Sequence, residues 1–207
     1  MCFNEPTSWI TFVGISVINI ASIFYIKEEK YTAIALIFQW VLLMQLFDAL
    51  AWHNPDCNSK LNQFATKGAF LANVTQPIVA FLLLFLISTS PQPEKIISIV
   101  VVLFYIIWVI SCSTKVKLTC LKKGVGCSNL DYNWWNSLQP AFIYHFSLVL
   151  IILLLFRPFK LALAIAGIIV ATFVVSALYY RCGVSSVWCF FAAFIPLFNV
   201  IAYKKLR

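Results

Sequence analysis

The sequence predicts an all-α polytopic membrane protein, a seven-transmembrane-helix bundle in which residues 1–207 form one domain. Three observations carry this. Of the 207 residues, 62% are hydrophobic and 11% charged, whereas a soluble domain is about half apolar and roughly a quarter charged. The mean hydropathy is +0.93. Seven apolar stretches reach the ~20 residues that a helix needs to cross a bilayer. A single core of this size could not hide so much apolar surface from water. Soluble enzyme, disordered chain and nucleic-acid-binding domain are therefore excluded classes. Continuous apolar runs, rather than ten-residue alternations, also exclude a β-barrel.

The predicted spans lie near 8–26, 31–53, 64–88, 95–113, 137–156, 160–180 and 184–203. The first is too long for a cleavable signal and lacks both a basic leader and a small-residue cleavage site. Lys27-Glu28-Glu29-Lys30 separates it from the second. Asn54 to Lys60, rich in turn formers, ends the second span. Two prolines and a Glu-Lys pair between Ser88 and Lys95 divide the third from the fourth. The long connection, Thr114 to Asn136, precedes the fifth. Arg157-Pro158-Phe159-Lys160 and Arg181-Cys182-Gly183 form the last two turns. Ala162 with Ala166, Gly167 with Ala171, and Ala192 with Pro196 place small residues four apart, a spacing that lets membrane helices approach closely. Pro77 and Pro196 free backbone carbonyls inside their helices.

Alternating the loops puts Cys2, Cys57, Cys112, Cys120, Cys127, Cys182 and Cys189 on or near one side. Disulfides need an oxidising compartment, so the N-terminus is expected outside or luminal and the C-terminus in the cytosol. Lysine and arginine divide eight to seven between the sides. Leaving out the four long-loop lysines makes this eight to three, in the sense of the positive-inside rule. The net charge of +8 is thus read as loop lysines at a membrane surface rather than a nucleic-acid footprint. Pairings such as Cys120 with Cys127 or Cys2 with Cys57 stay open, and Cys189, inside a helix, is the expected free thiol. Tyr132, Trp134, Trp135, Tyr179 and Tyr180 read as an interfacial aromatic belt.

Ionisable and amide groups within a span are costly and normally face the bundle interior. Gln45, Asp48 and Trp52 share one narrow face of the second span. Thr66, Phe70, Asn73 and Pro77 form a stripe on the third, with Lys67 near its start and Gln76 to the side. Ser8, Thr11, Asn19 and Ser22 share a face of the first. Gln139 and His145 lie on the fifth, and Ser185, Trp188, Cys189 and Asn199 on the seventh. Gln45, Asp48, Trp52, Lys67, Asn73, Gln139, His145 and Trp188 are therefore expected to line a cavity open to the N-terminal side, with Lys67 available to neutralise Asp48.

Two histidines, with no CxxC or HxxxH, make a metal site unexpected, and no cofactor is implied. No lysine lies midway in the last span to carry a retinal, and no GxSxG, P-loop or GxGxxG occurs. After removal of Met1, Cys2 would present an amine and a thiol, a conceivable nucleophile and equally a disulfide half.

Met1-Cys2-Phe3 with Ser8, Gln45-Leu46-Phe47-Asp48-Ala49-Leu50-Ala51-Trp52 and Val187-Trp188-Cys189-Phe190-Phe191-Ala192-Ala193 together resemble a family of small, uncharacterised heptahelical membrane proteins whose chains begin Met-Cys-Phe/Trp-Ser. The resemblance covers most of the chain. Asp48-Ala49 stand where that family has Glu-Gly, Asn4 stands where it has Ser, and Cys127-Ser128-Asn129-Leu130 lacks the His of its Cys-Gly-His-Leu-like segment. The resemblance implies that Cys2, Gln45, Asp48, Trp52, Trp188 and Cys189 belong to one constellation. It also implies bacterial and large-DNA-virus relatives, and the Lys-, Asn- and Ile-rich wording suits an AT-rich viral genome.

Three functions follow as expectations. The first is a monomeric channel or transporter for a small cation or proton, with Asp48 bearing the charge, Gln45 and Asn73 coordinating and His145 relaying. The second is a ligand-binding or sensory membrane protein whose Trp-lined cavity holds a small apolar molecule. The third is a thiol-dependent membrane enzyme using Cys2 or Cys189. A channel predicts polar residues continuing to the cytosolic half, where Asn19, Ser22 and Asn199 are the ones on offer.

Overall fold

The structure, a computed structural model, describes residues 4–114, 116, 118, 120–123, 130, 134, 138–179 and 184–205. The described elements are helices: α1 (Glu5–Tyr25), α2 (Glu29–His53), α3 (Lys60–Ile87), α4 (Gln92–Ser113), α5 (Leu138–Leu155), α6 (Phe159–Tyr179), α7 (Val184–Ala192) and α8 (Ile195–Lys205). Five of them, α1, α2, α3, α4 and α6, are long and apolar enough to cross a membrane.

Local chemistry sets the helix starts. Asn4 Oδ1 accepts from the Thr7 N–H at 2.9 Å, and Pro6 occupies the first turn of α1, where no intrahelical N–H is needed. Ser59 Oγ caps α3 by accepting from the Asn62 N–H at 3.0 Å. Between α2 and α3, Asn54 and Asp56 side chains accept from backbone N–H groups two residues on, the turn chemistry expected of the breaker cluster.

The predicted seventh span is not one helix. α7 stops at Ala192 and α8 starts at Ile195. Pro196 lacks the N–H that would reach the Ala192 carbonyl, and its ring crowds that carbonyl. The Ala193 N–H is shared between the Cys189 and Phe190 carbonyls, and the Phe194 N–H turns to Phe191, so the chain tightens there. Pro77, by contrast, leaves α3 unbroken. One residue beyond the Asn73 carbonyl that it frees, the Val74 carbonyl accepts from the Tyr105 hydroxyl at 2.9 Å.

α2 is the central element, packed against α1, α3, α7 and α8, and 61% of its most apolar window is buried. α4 touches α3 and α5 with only 17% of its window buried. What the helices expose is apolar: Ile10, Val17 and Phe24 on α1, and Val100, Phe104 and Ile107 on α4. The buried residues of α1 are mostly polar, namely Ser8, Thr11, Ser16, Asn19 and Ser22 beside Ile15. A polar inside and an apolar outside suit lipid as the solvent, since water would favour the reverse.

The two ends of the bundle are tied separately. At one end, His53 Nδ1 meets Glu5 Oε1 at 2.9 Å. There Cys57 is joined by a disulfide to Cys120, across 63 residues, in place of the pairings left open above. Asn62 Nδ2 donates to the carbonyls of Asn54 and Leu121, and the Leu121 N–H donates to Thr66 Oγ1. Among the described residues of the long connection, Leu121, Leu130 and Trp134 are buried. Trp134 is therefore a core residue and not part of an interfacial belt: its ring meets Phe70 edge-on at 5.7 Å and its Nε1–H donates to Asn73 Oδ1 at 3.3 Å. At the other end, Ser88 and Ser90 hydroxyls donate to the Leu155 and Leu154 carbonyls, Arg157 pairs with Glu94, and Tyr31 meets Tyr203 edge-on at 5.3 Å. A recess of about 520 Å³ lies there among Glu28, Lys30, Ser88 and Arg157. Of the small-residue pairs, Ala162 and Ala166 are buried in the α6 interface, whereas Gly167 and Ala171 face outward.

Candidate functional site

Asp48 and Gln45 have no exposed surface. Their direction follows from their neighbours on α2. Gln39 faces α1, where its Nε2 donates to Ser16 Oγ at 2.9 Å and its Oε1 accepts from Asn19 Nδ2 at 3.0 Å. Asp48 is nine residues on, half a turn around the helix at 100° per residue, and so points away from α1. Phe47, one step aside, lies against Gly68 of α3. Leu42 packs with Ala193 on the flank towards α7 and α8. Asp48 therefore faces the bundle axis between α3 and α7. The Leu42–Ala193 and Tyr31–Tyr203 contacts also fix the antiparallel register of α2 against α7–α8. Continued at equal rise per residue, that register puts Gln45 and Asp48 level with Trp188 and Cys189.

Trp188 belongs to a buried aromatic group. Its ring meets His145 at 4.6 Å and Tyr144 at 5.5 Å, both edge-on. His145 also lies 4.0 Å from the Phe173 ring of α6. The Tyr144 hydroxyl donates to Gln76 Oε1 on α3. Cys189, a buried thiol outside any disulfide, follows Trp188 on α7. Four helices thus place Gln76, Tyr144, His145, Phe173 and Trp188 in one cluster. His145 Nδ1 lies 2.6 Å from the Ala141 carbonyl, which fixes the proton on Nδ1 and leaves Nε2 an acceptor. Among the described residues, His145 Nε2, Trp188 Nε1 and Gln76 Nε2 are buried without a hydrogen-bond partner.

Below this cluster, towards the Tyr31–Tyr203 end, the axis changes character. Ile34, Ile37, Phe38 and Val41 of α2, Leu84 of α3, Ile151, Ile152 and Leu155 of α5, and Ile165 and Ile169 of α6 are all buried at 1% exposure or less. They form one apolar layer. Of the polar groups that reach that depth, Ser16, Asn19, Ser22 and Gln39 lie on the α1–α2 contact, and Gln76, next to the Thr75 that accepts from Trp40, stands level with Gln39.

The eight expected cavity residues separate accordingly. His145 and Trp188 touch, and Gln45 and Asp48 are buried on the facing helix. Trp52 is half-buried, while Asn73 holds Trp134. Lys67 and Gln139 are exposed, so neither sits in the buried interior with Asp48. Lys67 instead lines a recess of about 380 Å³ with Cys57, Gln63, Thr66, Leu118 and Cys120. A lysine one turn inside a span reaches the polar rim with its long stem. Cys2, Cys127 and Cys182 lie outside the described residues. Sequence reasoning passed over Tyr144 and Gln39 and set Gln76 aside. Gln39 and Gln76 carry the same signal as Gln45, an amide inside a span. Their partners come from other helices and are invisible to single-helix periodicity. No known protein family, curated protein or solved structure matches the chain.

Proposed function

We propose that the protein is a seven-span membrane protein that binds a small molecule in the half of the bundle nearest its N-terminus, as a ligand-binding or sensory protein. α5 and the broken pair α7–α8 supply the two spans beyond the five long ones. Broken helices are tolerated in membranes where the interruption is buried in protein, and Ala192 and Ala193 are buried. The observation that carries the reading is the division of the axis. Asp48, Gln45, Trp188, His145 and Tyr144 lie towards one end and Gln76 near the middle, level with Gln39, while large, buried apolar side chains fill the axis towards the other end. A conducting path for a cation would need polar groups or water through those apolar side chains. In this reading Asp48 supplies the charge that orients the ligand, and Trp188 and His145 supply ring faces. The Cys57–Cys120 bond supports a topology with this end in an oxidising compartment and the N-terminus outside, since disulfides persist there.

A second reading, proton or small-cation transport through Asp48, draws on its complete burial in a membrane helix. One experiment separates the two. Purified protein in vesicles is assayed for proton and alkali-cation flux, and in detergent for thermal stabilisation by a panel of small amines, alcohols and apolar compounds. The binding reading predicts flux no greater than that of Asp48→Asn, and stabilisation by a panel member that weakens at least tenfold in Asp48→Asn and Trp188→Phe. Flux abolished by Asp48→Asn, with no stabilising compound, supports transport and overturns binding.

A further inference from the structure

The three unpartnered atoms around Tyr144 have a definite chemistry, independent of what Asp48 does. Trp188 Nε1 is a donor only, Gln76 Nε2 is a donor, and His145 Nε2 is an acceptor because Nδ1 gives its proton to the Ala141 carbonyl. All three side chains are at least nine-tenths buried: Trp188 at 0%, Gln76 at 1% and His145 at 5% exposure. They surround one phenol ring, whose edge meets both the imidazole and the indole and whose hydroxyl holds the Gln76 amide. A buried polar atom without a partner costs about 1–3 kcal/mol. Three such atoms, on side chains from α3, α5 and α7 that all contact Tyr144, point to a site where something satisfies them.

We infer that Gln76, His145 and Trp188 form a binding site for a single neutral hydroxyl oxygen, that of a water molecule or a small alcohol. A hydroxyl has two lone pairs and one proton. It accepts from the indole N–H and the amide N–H and donates to the imidazole Nε2, so that all three protein groups are met; a water would keep a second proton over, whereas an alcohol would not. A carbonyl or an anion would satisfy the two donors and leave the imidazole lone pair bare. A cation would oppose the two N–H groups. Tyr144 positions the site, fixing the Gln76 amide so that its nitrogen end stays available. The inference goes beyond the proposed ligand in the Asp48 half, since it survives if Asp48 serves transport.

The test is the Trp188 indole N–H resonance of ¹⁵N-tryptophan-labelled protein in detergent micelles, assigned by its disappearance in Trp188→Phe. A hydroxyl partner predicts a magnetisation-transfer cross-peak from that proton to bound water, or a saturable shift when methanol or ethanol is titrated in. The first outcome assigns the oxygen to water and the second to an alcohol. Either signal should weaken in His145→Phe, while the other tryptophan indoles keep their shifts and so report that the fold is intact. An indole proton that shows no water cross-peak and no response to alcohol, in a folded sample, overturns the inference. So does a signal unchanged in His145→Phe. The flux and stabilisation assays above read Asp48, so the two proposals fail separately.

Discussion

A buried amide in a membrane helix has no water to turn to, and Asn19 uses both N–H groups to reach α2: one to the Ala35 carbonyl at 2.8 Å, one to Gln39 Oε1. Gln39 passes the interaction on to Ser16. Interhelical hydrogen bonds in membranes average ~0.6 kcal/mol each. Asn19→Leu, which removes two of them at similar volume, is expected to lower stability by about 1 kcal/mol, read as an earlier thermal unfolding midpoint in detergent. Gln39→Leu should cost about the same, and the double variant less than the sum, because the two share a bond. Residue type alone made Asn19, Asp48 and Gln45 legible in the sequence as inward-facing groups, since lipid forbids them elsewhere. It did not make legible that Asn73 serves Trp134, because Trp134 comes from the long connection and its burial depends on how that segment folds back.

The α2–α3 contact depends on a missing side chain. A Cβ on Gly68 would come within 2.2 Å of the Phe47 ring, so the two helices approach through a notch that any other residue would fill. Gly68→Leu is expected to cost about 1–3 kcal/mol by overpacking. Phe47→Ala on the same background should recover part of the loss by vacating the space. Unfolding of the four proteins in detergent, compared as a cycle, checks this coupling; additive effects would show that Gly68 does not face Phe47. Helix positions were readable to within a few residues because an apolar run ends where turn-forming and charged residues begin. The break between α7 and α8 was not, although Pro196 was noticed, because an equivalent proline in α3 leaves its helix whole. A proline removes one hydrogen bond in either case. Whether the helix then bends or stops depends on what packs beside it.

The bundle is closed at both ends, by Arg157 with Glu94 and the Ser88 and Ser90 hydroxyls at one, and by Glu5 with His53 and the Cys57–Cys120 disulfide at the other. A disulfide spanning 63 residues would contribute roughly 4 kcal/mol in a free chain by restricting the unfolded state. Here α3 and α4 lie within that loop and, in the membrane reading, would stay constrained by lipid, so the effect should be smaller. Asn62 and Thr66 also hold Leu121 without it. The Cys57→Ser/Cys120→Ser variant is therefore expected to fold, with a thermal midpoint a few degrees lower and faster tryptic cleavage in the 114–137 connection. A variant that fails to fold would show that the disulfide, and not those hydrogen bonds, places the segment.

Solvent preference acts on each side chain separately, and so the amino-acid order was enough to reveal an all-helical chain with long apolar helices, the approximate course of those helices and the inward turn of many of their polar residues. Five helices carry that reading by length and composition. Which polar groups meet is a different matter, because it depends on how helices distant in the chain are rotated against one another. Packing separated Lys67 and Gln139 from the buried acid, gathered Gln76, His145 and Trp188 around Tyr144, and filled the axis towards the Tyr31–Tyr203 end with apolar side chains. Those relations join residues from four helices, and no periodicity within one helix encodes them.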